Sequence, residues 1–175
     1  MDERKKAERP VGDLRHHGVR NVKTGFEEIT HEWNSEQTFE RIQDTLKDLQ
    51  IDLKESFVLE LGSGTGALLK EFKKHGVDAV GIDSNPRARF RVKEIVKGRI
   101  EEMQFDDETF DVVASVALLD EEVYGPQDTA AMESEILRVL KPGGVYIELG
   151  SWGALPGNEL EIISTGMFET VYRKP

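Results

Sequence analysis

Apolar positions along this chain change their period, and the changes divide it into elements. From Ser35 the segment SEQTFERIQDTLKDLQ places Phe39, Ile42, Leu46 and Leu49 at three-to-four spacing behind a capping serine, which predicts an amphipathic helix. Beyond it, SFVLELG (56–62), VDAVGID (77–83), FDVVAS (110–115) and VYIELG (145–150) are short β-branched runs, apolar on both faces. Between them TGALLKEFKKHG, NPRARFRVKEIVKG and PQDTAAMESEILRVLKPGG read as helices, with a short extended piece near Arg99. Gly76, Gly98 and the KPGG of 141–144 supply the stop signals. Buried strands separated by helices need right-handed crossovers, so the expected fold is a doubly wound, mostly parallel α/β sheet with helices on both faces.

Composition narrows the class. A chain of 175 residues is a single-domain length, able to bury a core without metal or disulfide staples. The first 34 residues are polar and lack sustained periodicity, so they read as an N-terminal arm or lid (1–34) ahead of the domain (35–175). No run of eighteen apolar residues occurs and none follows the charged start MDERKKAERP, which predicts a soluble, unexported, cytoplasmic protein with no membrane partner. Without cysteine, neither disulfides nor thiol chemistry are available, and the four histidines show no metal-ligand spacing. A net charge of −11 argues against general binding to nucleic acid. Residues 86–99 carry six basic side chains, and a helix there would put Arg89, Lys93 and Lys97 on one solvated face.

The candidate chemistry lies in FVLELGSGTGALL (57–69). A glycine-rich turn after a strand lets a ligand approach the backbone at a helix N-terminus, where N–H groups and the dipole favour negative charge. Gly62, Ser63, Gly64, Thr65, Gly66 and Ala67 satisfy the G-x-G-x-x-A form of a dinucleotide motif. Asp83, about twenty residues on, ends the second strand, where a carboxylate accepts the two hydroxyls of an adenosine ribose; its alternative is to cap a helix. Both NAD and S-adenosylmethionine sites use such an Asp. Glu60 separates them. A carboxylate in the strand that leads to the turn repels a pyrophosphate, but suits a ligand carrying an ammonium and a sulfonium.

With these residues in place the chain resembles the class I S-adenosylmethionine-dependent methyltransferases, in the small-molecule branch. VLELGSGTGALL is similar to the family's first motif, VGIDSNP to its second, VKGRIEEMQFDDETFDVVAS to its third with the fourth strand, and EILRVLKPGGVYIEL to its closing helix and fifth strand. The resemblance covers residues 35–150 and implies a Rossmann-like sheet and methyl transfer to an acceptor, most simply a small molecule. It implies that the backbone of Gly62, Ser63, Gly64 and Gly66 holds the methionine part, with Glu60 near the amino group, Asp83 on the ribose and Ser84 beside the adenine. The family places an Asp after the third-motif glycine; here Gly98 is followed by Arg99, which has no acceptor, so Ile100 keeps the backbone contact while the adenine amino-group contact comes from Glu101, from water, or not at all. Ser115, ending the fourth strand, completes the expected cofactor set.

The substrate-facing loop is SVALLDEEVYGPQ, which lacks the Pro-Pro-aromatic signature of nucleic-acid amino methylation. Its Asp120, Glu121 and Glu122 form an acidic stretch. His17, His31 and Asp120 are the candidate bases, though in-line methyl transfer needs one only for acceptors that arrive protonated. The resemblance implies that Trp33 closes over the cofactor from the arm; its alternative is an ordinary packing residue where the arm joins the domain. After Gly150 the remaining chain allows a short helix and one strand, which predicts six strands with FETVYRK antiparallel at an edge free to pair with a second subunit or another protein. Two other readings stay open: a nicotinamide-dependent oxidoreductase and a non-catalytic methyltransferase-like subunit.

Overall fold

The computed structural model describes residues 34–84, 92–119, 124–151, 155–156 and 159–175. Helix α1 (Ser35–Asp48) begins one residue earlier than the serine cap implied. Asn34 is the cap: its Oδ1 accepts from the Gln37 N–H at 3.0 Å, and Gln37 Oε1 accepts from the Asn34 N–H at 3.2 Å. Phe39, Ile42 and Leu46 are buried on one side, as their spacing requires.

A single sheet of seven strands has the order β3-β2-β1-β4-β5-β7-β6. Its strands are β1 (Phe57–Leu61), β2 (Asp78–Asp83), β3 (Ile95–Lys97), β4 (Phe110–Val116), β5 (Leu140–Leu149), β6 (Glu161–Thr165) and β7 (Glu169–Arg173). The first five are parallel, and β7 runs antiparallel to both β5 and β6. Helix α2 (Ala67–Lys74) follows β1, and helix α3 (Pro126–Val139) precedes β5.

The sheet has a core on each face, because side chains alternate along every strand. Val58, Val112, Ala114, Val145, Ile147 and Val171 pack with Phe39, Ile42 and Leu46 of α1 and Leu68, Leu69 and Phe72 of α2. Leu59, Leu61, Val113, Tyr146 and Tyr172 pack on the other face with Met132, Ile136 and Val139 of α3. Burying an aliphatic side chain of this size contributes about 1.5–3 kcal/mol, so the two cores hold the carboxyl ends of β1, β4 and β5 rigidly side by side.

Three expectations are corrected. Residues 95–97 are the end of no helix: Ile95, Val96 and Lys97 form β3, paired with Gly81, Ile82 and Asp83, so Gly98 is not a helix stop and Lys93 and Lys97 share no helical face. Backbone pairing to β2 and burial of Ile95 outweigh the helical appearance of the basic run. Arg89 lies outside the described residues. Helix α3 ends at Val139, and Lys141 to Gly144 already belong to β5, where Lys141 Nζ bonds both oxygens of Asp111 at 2.8 Å.

The third correction concerns the C-terminal region. There are seven strands, not six, and FETVYRK is not at the edge: β7 lies between β5 and β6. The segment read as a short helix contains β6, mostly solvent-exposed along its length, which is held by pairing with β7. Backbone hydrogen bonds specify such a strand, and they leave no period in the sequence. Among the described residues no helix is long and apolar enough to cross a membrane.

Candidate functional site

Three adjacent parallel strands end together. Leu61 of β1 is in register with Ser115 of β4, and Ser115 with Glu148 of β5, which is where open α/β sheets bind ligands. The loop from β1 to α2 turns sharply there. Gly62, Gly64 and Gly66 have φ of +68°, +51° and +72°, a region that side chains rarely enter. The turn is tied to the neighbouring strand. The Gly62 and Ser63 N–H groups donate to Ile82 O at 2.9 and 3.2 Å, and Ser63 Oγ donates to Glu60 O at 3.0 Å. Gly81 makes room for this, since a Cβ there would stand 2.0 Å from Ser63 Oγ.

Asp83 reaches back to the loop, its Oδ2 accepting from the Gly64 N–H at 2.7 Å. Ser84 follows it and is exposed. The sequence-predicted residues of the first two motifs are thus brought together at one corner of the sheet. Ile100 is buried, and Arg99 Nη2 donates to Glu101 Oε1 at 2.7 Å, so the Arg that departs from the family pattern steadies the carboxylate that was expected to replace it. Tyr124, missed in the sequence, stands near this group. Its hydroxyl pKa is raised by burial and by the charge of Glu101, with Asp83 a smaller contributor. Only proximity in the fold marks it.

Glu60 is 6% exposed, on the face that β1 presents to α1 and α2. Burial, and then the neighbouring charge of Asp83, push its carboxyl up to about 8, against a weaker opposite pull from the backbone N–H of Leu69. Among the described residues its Oε2 has no hydrogen-bond partner. An orphaned buried oxygen costs about 1–3 kcal/mol, and a bound cation relieves that cost.

Ser115 is fully buried, and its hydroxyl is shared with Tyr146 Oη at 2.7 Å on the α3 face. Past β4 the chain takes a strained turn at Ala117, whose φ is +51° and whose N–H donates to Leu149 O at 2.7 Å. This turn lays Leu118 over the loop, where a Cβ on Gly62 would come within 2.9 Å of Leu118 Cδ1. The next residue, Leu119, donates its N–H to Ser151 Oγ at 3.3 Å. His17, His31, Trp33, Asp120, Glu121 and Glu122 lie outside the described residues. Among the described residues there is no cluster of His, Asp or Glu suited to a metal.

Known proteins share this arrangement. The family model described as "Methyltransferase domain" matches residues 59–147. The sterol 24-C-methyltransferase erg6 of Aspergillus fumigatus is 33% identical over 111 residues, covering 55% of this chain and 28% of that protein. The phthiotriol/phenolphthiotriol dimycocerosates methyltransferase of Mycobacterium tuberculosis is 34% identical over 107 residues, 55% of this chain and 38% of its own length. The chain therefore spans 28% and 38% of the lengths of these two relatives. In fold, it is similar to the PH0226 protein of Pyrococcus horikoshii, with a TM-score of 0.60 at 19% identity over 79% of this chain and 92% of that one. It is likewise similar to SAM-bound CalS10, an amino pentose methyltransferase from Micromonospora echinaspora, with a TM-score of 0.57 at 19% identity over 85% and 59%. The strand order, the glycine turn with its two carboxylates and the match over 59–147 converge, and the chain belongs to the methyltransferase-domain family, in the type 11 branch of the class I S-adenosylmethionine-dependent methyltransferases.

Proposed function

We propose that this protein binds S-adenosylmethionine at the carboxyl ends of β1 and β2 and methylates a small molecule. The observation that carries the reading is Glu60: a buried carboxylate with an orphaned Oε2, beneath a loop in which all three glycines have positive φ. That arrangement suits a ligand with an ammonium group and disfavours a pyrophosphate. When bound, S-adenosylmethionine supplies an activated methyl group.

The chain's own residues bind and orient. Gly62, Ser63, Gly64 and Gly66 let the methionine part lie against the backbone, and Glu60 ionises to pair with its amino group. Asp83 takes the ribose hydroxyls, Ser84, Ile100 and Glu101 frame the adenine, and Ser115 supports the floor through β4. Leu118 above Gly62 excludes water from the side where the acceptor approaches. Small acceptors agree with the two relatives above, a sterol 24-C-methyltransferase and a phthiotriol/phenolphthiotriol dimycocerosates methyltransferase. The arm 1–34 is proposed to complete the acceptor pocket.

Calorimetry with S-adenosylmethionine, S-adenosylhomocysteine and NAD tests the reading. Both sulfur compounds are expected to bind, more tightly as the pH rises toward 8, where Glu60 sheds its proton. Binding of NAD without S-adenosylmethionine overturns it in favour of a nicotinamide-dependent oxidoreductase.

A further inference from the structure

A second buried carboxylate ends β5, on the opposite face of the sheet from Glu60. Glu148 is 3% exposed, and Tyr172 Oη donates to its Oε2 at 3.2 Å. Its Oε1 has no hydrogen-bond partner among the described residues, and no ion pair among them reaches it. The groups around it are hydroxyls: Tyr146 on its own strand, Ser115 on β4, Tyr172 on β7 and Ser151 after the turn at Gly150, with the acid Glu133 of α3 acting on Tyr172. Glu133 is already committed, since its Oε1 accepts the N–H groups of Glu159 and Leu160.

The position of Glu148 relative to the loop is set by the sheet. It lies two strands from Leu61 in register, roughly 10 Å at the usual strand spacing. A continuous set of contacts joins the two sites: Leu118 covers Gly62, Leu119 bonds Ser151, and the Ser151 hydroxyl acts on Glu148. The left-handed Ala117 that starts this path costs about 1–2 kcal/mol, a strain held by neighbouring structure of the kind that collects at functional sites.

From this geometry we infer that Glu148 is the acceptor-side group: its free Oε1 takes the proton of a hydroxyl or an ammonium group, which leaves the oxygen or nitrogen lone pair to attack the methyl carbon, and keeps that proton as the methyl is transferred. The inference rests on the methyl-transfer reading above. The charge balances. The acceptor exchanges one proton for one methyl group, the carbon–sulfur pair stays with sulfur as a neutral thioether, and the positive charge lost from the sulfonium appears as the proton on Glu148. Burial pushes its carboxyl up to about 7, with the hydroxyls of Ser151 and Tyr172 limiting the rise, a range suited to exchanging a proton near neutrality.

The test follows the carboxyl itself. The full chain, labelled with 13C at the glutamate side-chain carboxyl, is titrated by NMR, and the Glu148 signal is identified by its loss in Glu148→Gln. Phenol and methylamine are the probes, toluene the control, each with and without S-adenosylhomocysteine. One of the two polar probes is expected to lower the Glu148 midpoint by at least half a pH unit, and which one does so distinguishes a hydroxyl from an ammonium acceptor. In Tyr172→Phe the midpoint rises, because a donor to the carboxylate is gone, and the probe response persists. A midpoint that neither probe moves overturns the inference, as does an equal response to toluene. Failure of S-adenosylhomocysteine to bind, with the probe response intact, counts against the cofactor reading and leaves the Glu148 result standing.

Discussion

Glu60 and Glu148 are the same chemical group at equivalent places, each buried near the carboxyl end of a parallel strand, and the fold treats them differently. Glu60 faces α1 and α2, is surrounded by Leu69 and the glycine turn, and has Asp83 as its nearest charge. Glu148 faces α3 and sits among the hydroxyls of Tyr172 and Ser151. A carboxylate with an anion beside it and no donor for its Oε2 calls for a cation from outside. One bordered by hydroxyls can change its protonation without a counter-ion. The lesson is that strand register makes two similar sockets, and the second layer of neighbours decides which ligand atom each receives.

The largest effect that sharpens the contrast is on stability against pH. A carboxyl raised above its unfolded value of 4.5 holds its proton in the folded chain after the unfolded chain has lost it, so stability falls as pH rises between the two values. For Glu60 the window runs from 4.5 to about 8, and for Glu148 from 4.5 to about 7. Chemical denaturation from pH 5 to 9 should show a decline of several kcal/mol without ligand. Glu60→Gln should flatten it up to pH 8, Glu148→Gln only up to pH 7. Saturation with S-adenosylmethionine should flatten the Glu60 share alone.

Next in size is damage confined to one face. In Gly66→Ala the new Cβ would stand 2.4 Å from Val92 Cγ2, in a backbone with φ of +72°. Overpacking and left-handed strain together predict a loss of about 3 kcal/mol by denaturant titration, with the Glu148 carboxyl titration unchanged. If both carboxyls respond, the two sockets are not independent.

Glu60→Gln should weaken S-adenosylmethionine binding by 10- to 100-fold, about 1.4–3 kcal/mol, through loss of a charge-assisted hydrogen bond. Glu148→Gln should change it less than twofold. Parallel calorimetry on the two variants separates the roles, and equal losses would erase the distinction. The smallest effect is Ala117→Gly, expected to relieve about 1 kcal/mol of left-handed strain while loosening the Leu118 cover. Its signature is a raised melting temperature together with faster cofactor dissociation.

Much of this molecule was legible before folding. Helix α1 and strands β1, β2, β4 and β5 follow from the periods of their apolar residues, and Glu60, the glycines and Asp83 group together because motif spacing fixes them to one strand–turn–helix–strand unit. Strand β3 was hidden because three residues in a basic run carry too little pattern to compete with a helical reading. Strand β6 was hidden because its residues are mostly exposed. Its backbone partners on β7 define it, and with them FETVYRK moves from an edge to the interior.

What the sequence determined by itself is the parallel α/β half and the glycine-turn corner proposed to hold the cofactor, whose signals are motif spacings within one strand–turn–helix–strand unit. What only the tertiary structure decided is the setting of Glu148, the group proposed to face the acceptor. Glu148 reads as one more strand residue until Tyr172, Ser115 and Ser151 arrive from β7, β4 and the turn after Gly150. Tyr124 and the Arg99–Glu101 pair acquire meaning in the same way. The physical reason is that burial and hydrogen bonding, which set a carboxyl's proton affinity, are properties of distant chain segments brought within about 3 Å of each other, and no local period records that meeting.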